Sequence, residues 1–434
     1  MGKLKQYIKR IVDLSIKAVH KGALDIIVSS MLNKVFILAS NVLIIRLMDQ
    51  QEYGIFTYAY NVITIIMIVS SLGIDTAMMQ FCCEDRPEEE RLGIARFTLP
   101  FGIISNLLFS IGTFIYALLG KLSIPEGRTT LMALAFILPF PCILNYQKYW
   151  LRINKKNREF GLLSNIASAS YLAASVLLIY LWGINGTILG RYLGFIIPII
   201  IGIFFTKTYF TVVRKAPFPS KTVISSLIKY GLVIALTNGI SELLYYLDVY
   251  VVGLVTADSL SIAYYKSATV IPRALASLPA IIMIFVYPYF AFNKEKFSWV
   301  KKHVKMMQFI MLPLSCIVTF IFFVIAPWMI EILYGADYLE SLVPFRILVV
   351  SFIFSATFRV ISGNILAMLG RVKENLVMGI VECSLNIVLD YFLVKYYGST
   401  GAAIATLSIT IVGSLMCTVY LYYYLNKNIK LQRE

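Results

Sequence analysis

FGLLSNIASASYLAASVLLIYLWGINGTILGRYLGFIIPIIIGIFFT, residues 160–206, holds one charged side chain, Arg191. Two apolar runs, 160–181 and 186–206, meet at Trp182-Gly183-Ile184-Asn185. A helix that crosses a bilayer needs about 20 apolar residues. Each run is long enough, and the residues between them leave room only for a tight turn. The stretch reads as a helical hairpin in a membrane.

The same pattern extends outward in both directions. Apolar runs fall at roughly 24–46, 55–81, 97–119, 130–151, 231–255, 261–291, 306–333, 342–368, 375–395 and 400–425. With the hairpin these make about twelve spans. The whole chain has 434 residues, 59% of them hydrophobic and 14% charged, with mean hydropathy +0.79. A soluble domain is about 45–50% apolar and about 25% charged. The composition excludes a soluble enzyme, a disordered chain and a secreted disulfide scaffold, and predicts an all-α integral membrane protein. The outer connectors are short, at 48–53, 122–129, 182–185, 256–260, 334–341 and 396–399, and leave little room for an external active site.

The net charge is +16, and it is unevenly spread. Alternate connectors, with the termini, hold 28 of the 39 Lys and Arg residues; the others hold only Arg46, Lys121, Arg128 and Lys395. The positive-inside rule puts the basic set in the cytoplasm. Both termini are then cytoplasmic and the number of spans is even. Basic loops there face anionic inner-leaflet lipids. Nucleic acid is excluded as a partner, because no soluble basic-aromatic module exists to bind it.

Residues 1–21 carry Leu4, Ile8, Ile11, Ser15 and Val19 at helical spacing among lysines and Arg10. They read as an amphipathic helix on the inner leaflet, or as a basic tail before a signal anchor; no A-x-A-like site follows that would mark a cleaved signal peptide. The six cysteines form no CxxC pair, the two histidines stand apart, and there is no phosphate-binding glycine loop. Neither a metal nor a cofactor is expected.

The chain contains an internal duplication. Gly54-Ile55-Phe56-Thr57-Tyr58 aligns with Ser261-Ile262-Ala263-Tyr264-Tyr265, about 207 residues on. Leu181-Trp182-Gly183-Ile184-Asn185-Gly186 aligns with Tyr396-Tyr397-Gly398-Ser399-Thr400-Gly401, about 215 residues on. The basic turn 154–157 lies near the counterpart of 370–373. Each half holds six spans, so both enter from the same side as a parallel repeat. The expected organisation is a six-helix bundle over 22–206, a basic linker over 207–229 that carries Pro217 and Pro219, a second six-helix bundle over 230–425 and a cytoplasmic tail over 426–434.

An ionisable residue within a span is costly unless it meets a partner or a polar cavity, which makes it a functional candidate. Lys266, Thr269, Arg273 and Ser277 share a helical face, with Pro272 and Pro279 able to kink it. So do Asn238, Glu242, Tyr245 and Asp248; Ser351, Ser355, Arg359 and Ser362; and Glu382, Asn386 and Asp390. Lys34 sits mid-span with Asn41 on its face. If these faces line one aqueous cleft, Lys34, Lys266, Arg273 and Arg359 are the candidate anion or pyrophosphate ligands, since Arg offers phosphate a planar fork and Lys a point charge. Glu242, Asp248, Glu382 and Asp390 are candidate charge partners, or proton or sodium sites. The competing reading is a set of internal salt bridges. Arg191 and Arg346 fall near outer span ends, where a long side chain can reach the interface. Tyr245, Tyr264 and Tyr265 could stack on sugars, although packing is the better default for so common a residue.

The stretch Asp49-Gln50-Gln51-Glu52-Tyr53-Gly54 followed by Ser71-Leu72-Gly73-Ile74 resembles the start of the polysaccharide transporters, and Leu247-Asp248-Val249-Tyr250 with Ala263-Tyr264-Tyr265 does likewise. The segments Gly363-Asn364-Ile365-Leu366-Ala367-Met368-Leu369-Gly370-Arg371 and Tyr397-Gly398-Ser399-Thr400-Gly401-Ala402-Ala403 resemble the second half of that family. The chain is therefore similar, over nearly its whole length, to O-antigen and capsule repeat-unit flippases (Wzx type) of the multidrug/oligosaccharidyl-lipid/polysaccharide (MOP) superfamily. The resemblance implies a V-shaped pair of bundles with a cationic central cavity in the bacterial cytoplasmic membrane. It implies a cargo of undecaprenyl-diphosphate-linked oligosaccharide, moved from the inner to the outer leaflet by alternating access. A polysaccharide polymerase and glycosyltransferases are candidate partners. Lipid II flippases of the superfamily are expected to carry two further spans. The rivals are a MATE-like cation or drug antiporter, which should favour an acidic cleft; a facilitator-type transporter, which would show a Gly/Asp/Arg-rich turn where this chain has the acidic 84–90; and a membrane glycosyltransferase or polymerase on the same lipid carrier.

Overall fold

The computed structural model describes residues 23–207 and 211–432, and the regular structure among them is all helical. The amphipathic segment expected over 1–21 lies outside the described residues. The α-helices are α1 (Ala23–Leu47), α2 (Gln50–Ser70), α3 (Ile74–Cys83), α4 (Glu88–Leu119), α5 (Arg128–Leu134), α6 (Pro139–Ile153), α7 (Asn157–Phe205), α8 (Lys221–Thr256), α9 (Ser259–Ala276), α10 (Leu278–Phe292), α11 (Phe297–Leu333), α12 (Leu342–Phe354), α13 (Val360–Met368) and α14 (Val372–Leu431). Among the described residues eight helical segments are long and apolar enough to cross a membrane, or nine if the bent α8 counts as one span. The protein is a multi-pass membrane protein.

Breaks in the helices follow local chemistry. The apolar run 261–291 is divided at Ser277, and Pro279 sits in the first turn of α10, where its missing N–H leaves no helical hydrogen bond unmade. α2 and α3 are separated by Leu72 and Gly73, both at positive φ. A π-helical turn, Ser355–Arg359, interrupts the helical path between α12 and α13. The basic residues Lys221 and Lys229 belong to α8, which starts ten residues before its apolar run.

α7 and α14 each contain a sharp turn. Gly183 has φ 50° and ψ −126°, and Gly398 has φ 54° and ψ −135°, a conformation that L-residues avoid. Three residues further on, the helices touch. A Cβ on Gly186 would lie 1.9 Å from the Leu178 carbonyl oxygen, and one on Gly401 would lie 2.1 Å from that of Leu393. All three pairs are 215 residues apart.

The chain forms two compact units. The first comprises Met1–Leu47, Ile66–Gly120 and Leu131–Leu236; the second comprises Met48–Ile65, Lys121–Thr130 and Thr237–Glu434. The core of the first includes Ile74, Met78, Phe81, Ile94, Tyr146, Trp150 and Leu227. In its connector between α3 and α4, Arg86 bonds Glu84 at 2.8 Å and Glu90 at 2.7 Å. The hydrogen bond that the guanidinium donates to Glu84 leads in holding it above its ordinary pKa. In the second unit the core includes Phe345, Val349, Ile365, Ala402 and Leu421, all at most 1% exposed.

Candidate functional site

Three polar clusters lie within the second unit. The first is acidic. Asp248 of α8 is 5% exposed and Asp390 of α14 is fully buried. Tyr265 of α9 donates its hydroxyl to Asp248 Oδ2 at 2.7 Å, and Thr406 of α14 donates to the same oxygen at 2.6 Å. Asn386 and Asp390 stand beside them. Asp248 Oδ1 and both carboxylate oxygens of Asp390 are buried and receive no hydrogen bond. Cys383, a further titratable group, is within electrostatic reach of Asp248.

Helical geometry explains why these residues meet. Asp248 lies eight residues before the end of α8 at Thr256; Asp390 and Thr406 lie eight residues on either side of Gly398. At 1.5 Å per residue each is about 12 Å from its turn, near the middle of a hydrocarbon core about 30 Å thick. Two anionic carboxylates there would cost several kcal/mol each. A shared proton, or a hard cation that takes oxygen ligands, removes that cost.

The second cluster is cationic. Arg273 of α9 pairs with Glu242 of α8 at 3.2 Å, with side-chain exposures of 37% and 54%. Its guanidinium lies over the rings of Tyr245 and Tyr246, 4.7 and 5.1 Å from their centroids. It also hydrogen-bonds the Tyr246 hydroxyl at 3.5 Å. Lys266, on the same face of α9, has its ammonium 5.9 Å from the Tyr246 centroid. Two cations thus stand on one face of α9, both half-buried, and Arg273 is paired with Glu242.

The third cluster is a tight ion pair. Arg359, at the end of the π-helical turn, is 3.1 Å from Glu382 of α14 and donates to Asn375 at 3.2 Å. Glu382 packs against Gly413, where a Cβ would come within 2.5 Å of its carboxyl carbon. Tyr245 is within electrostatic reach of Arg273, Glu242, Arg359 and Asp248, members of all three clusters.

The helical-face reading grouped Glu242 with Asp248, and Glu382 with Asp390. The structure separates them: Glu242 meets Arg273, Glu382 meets Arg359, and the two aspartates meet each other. The side chain of Asn238 lies outside the described residues. Lys34 belongs to the first unit, on an exposed face of α1. Its neighbour Asn33 donates to the Ser164 carbonyl at 2.9 Å. Sequence reasoning missed Tyr265 and Thr406 as donors to Asp248, Asn375 as a partner of Arg359, and Tyr246. It also missed Asp75 of the first unit, 7% exposed, whose carboxylate accepts from the Thr76 amide at 2.8 Å. Arg191, expected to reach the interface, stacks its guanidinium 3.8 Å from the ring centroid of Tyr171.

The sequence model described as "Polysaccharide biosynthesis protein" matches residues 19–294, more than half of the chain. A Shigella flexneri protein named "Putative O-antigen transporter" is 24% identical over 334 residues, which are 74% of this chain and 78% of that protein. Among solved structures, the lipid II flippase MurJ in an inward closed conformation superposes with TM-score 0.76 at 16% identity, covering 92% of this chain and 87% of MurJ. An inward-facing MATE-family multidrug resistance transporter of the MOP superfamily superposes with TM-score 0.74 at 13% identity, covering 92% of this chain and 96% of the transporter. At these identities the two structures define the fold. With its family model covering most of the sequence, the chain belongs to the polysaccharide biosynthesis protein family, on the fold shared by MurJ and the MATE transporters.

Proposed function

We propose that the protein is a flippase for lipid-linked oligosaccharide, which moves undecaprenyl-diphosphate-linked repeat units from the inner to the outer leaflet of a bacterial cytoplasmic membrane by alternating access. The observation that carries the proposal is the partly exposed cation cluster of Arg273 and Lys266 on α9, which lies between two membrane-length segments of the chain. A diphosphate that leaves water loses the hydration of about two negative charges, and fixed guanidinium and ammonium groups replace it. The lipid tail stays in the bilayer. Outward transfer of two charges through the whole field gains about 4.6 kcal/mol per 100 mV of inside-negative potential. Lys34 and Arg359 are further candidate ligands; Arg359 reaches cargo only by leaving Glu382.

Asp248 and Asp390 are the candidate coupling site, for a proton or sodium ion. Glu242 and Glu382 are charge partners of arginines on this reading. The family membership supports a polysaccharide cargo. Glycosyltransferases would act before it and a polymerase after it. A groove of about 490 Å³ lined by Lys302, Lys305, Phe309, Leu312, Phe358 and Tyr422 suits an anionic lipid of the inner leaflet.

Twelve crossings are consistent with the helices. Division of α7 at Gly183 and α14 at Gly398 turns eight segments into ten; α8, and α9 with α10, supply two more. An even count with basic termini supports a cytoplasmic location for both ends, and six crossings per repeat support two six-helix bundles joined by the segment that precedes α8 at Lys221.

The test is reconstitution. Vesicles that contain the protein and a fluorescent undecaprenyl-diphosphate oligosaccharide should expose the label to an impermeant quencher much faster than protein-free vesicles. Export of cationic drugs without movement of the lipid would instead establish the antiporter reading, which the buried aspartates favour.

A further inference from the structure

The duplication can be read residue by residue, because the backbone fixes its register. Lys155 and Gly370 both have positive φ, at 57° and 79°. The turns around them close with the same bonds: Asn154 N to Trp150 O and Leu369 N to Ile365 O, Lys156 N to Leu151 O and Arg371 N to Leu366 O, Phe160 N to Lys156 O and Asn375 N to Arg371 O. The offset is 215 in every case, as it is at Gly183/Gly398 and Gly186/Gly401. For the first helix of each repeat, Asp49 accepts from the amides of Gln51 and Glu52, and Asp258 from those of Leu260 and Ser261. The offset there is 209, and the ends of α1 at Leu47 and α8 at Thr256 agree with it; it corrects by two residues the alignment of Gly54-Ile55-Phe56-Thr57-Tyr58 with Ser261-Ile262-Ala263-Tyr264-Tyr265, whose offset is 207.

In this register the acidic cluster of the second unit has a definite counterpart in the first. Asp248 corresponds to Ala39, Asn386 to Tyr171, Asp390 to Ser175 and Thr406 to Arg191. No carboxylate remains. Ser175 is fully buried with no partner for its hydroxyl. Arg191 reaches back from its helix to lie on the face of buried Tyr171. Where one copy gathers three buried carboxylate oxygens without donors, the other holds a guanidinium. That group does not deprotonate in a protein and is bound to the chain.

We propose that Arg191 is a built-in cation, which permanently fills in the first unit the place that an exchangeable cation fills between Asp248 and Asp390 in the second. The inference rests on the reading of those aspartates as the coupling site. It makes that response one-sided: the second unit changes with cation occupancy, whereas the first is held by Arg191 as a positioning residue. One coupling site per chain follows.

The test uses the full chain in lipid nanodiscs, with thermal unfolding followed in sodium against choline, and at pH 6 against pH 8. Wild type should unfold at a higher temperature when the cation is present. Thr406→Arg transplants the first unit's arrangement: an arginine there reaches toward residue 386 and its aspartate neighbours. It should unfold without cation as late as cation-loaded wild type and lose the cation response. Arg191→Thr should unfold earlier than wild type by a margin that cation does not restore, yet keep the cation response of the second unit; Arg191→Lys should recover part of the margin. A response that survives Thr406→Arg in a folded protein, or Arg191→Thr with wild-type unfolding, overturns the inference alone. A wild type indifferent to sodium and to pH overturns both the inference and the coupling site.

Discussion

Arg273→Ala is expected to slow movement of a lipid-linked diphosphate in proteoliposomes by about tenfold or more, with normal insertion and folding. Hydrogen bonds to charged groups contribute roughly 1.5–3 kcal/mol, and each 1.4 kcal/mol is about tenfold. The side chain is 37% exposed, and water screening puts the loss toward the lower end of that range. Arg273→Lys keeps the charge but not the planar fork or its stacking on Tyr245 and Tyr246, so an intermediate rate should result. Glu242→Gln removes the competing carboxylate and should preserve transport. Wild-type rates in Arg273→Ala would exclude this side chain from the path of the diphosphate.

The largest effect on stability is expected at Glu382. Glu382→Ala leaves Arg359 without its carboxylate in a site where Glu382 is 7% exposed and Arg359 25%. Removal of one partner of a buried pair costs about 3–5 kcal/mol. The partial exposure of Arg359 again favours the lower end. Replacement of both residues with methionine removes the unpaired charge and should restore much of the loss. The check is thermal unfolding of purified protein for both variants beside wild type. Equal midpoints for Glu382→Ala and wild type would mean that the pair contributes nothing to the fold.

Much of the architecture was legible in the sequence because a membrane imposes a strong local rule. Apolar run length marks each crossing, and Trp182-Gly183 and Tyr397-Gly398 mark turns between crossings because little else fits there. The duplication was legible at the same glycines. Of the breaks inside spans, only the one at Pro279 was signalled in advance, by the proline. Ser71-Leu72-Gly73 is too short an interruption to end an apolar run, and the π-helical turn at 355–359 has no compositional signature. Helical phase separated the faces of each span but carried no information about which face of another helix it meets. Hence Glu242 and Asp248 share a helix and a phase yet serve different clusters. Tyr265 and Thr406 were invisible as donors because hydroxyl residues occur in nearly every span. Arg191 was visible as a charge, but its counterpart Thr406 emerged only once the 215-residue register was fixed by backbone geometry.

A diphosphate-linked oligosaccharide lipid with a photoactivatable group next to the diphosphate, bound to the purified protein in nanodiscs and mapped by peptide mass spectrometry, addresses the cationic path itself. Labelling should concentrate on the segments that contain Tyr245 and Tyr246 and Lys266 to Arg273, and unlabelled lipid-linked oligosaccharide should compete it away. Labelling confined to exposed apolar residues such as Phe309, Phe320 and Trp328 of α11, with none on α8 or α9, would contradict the account.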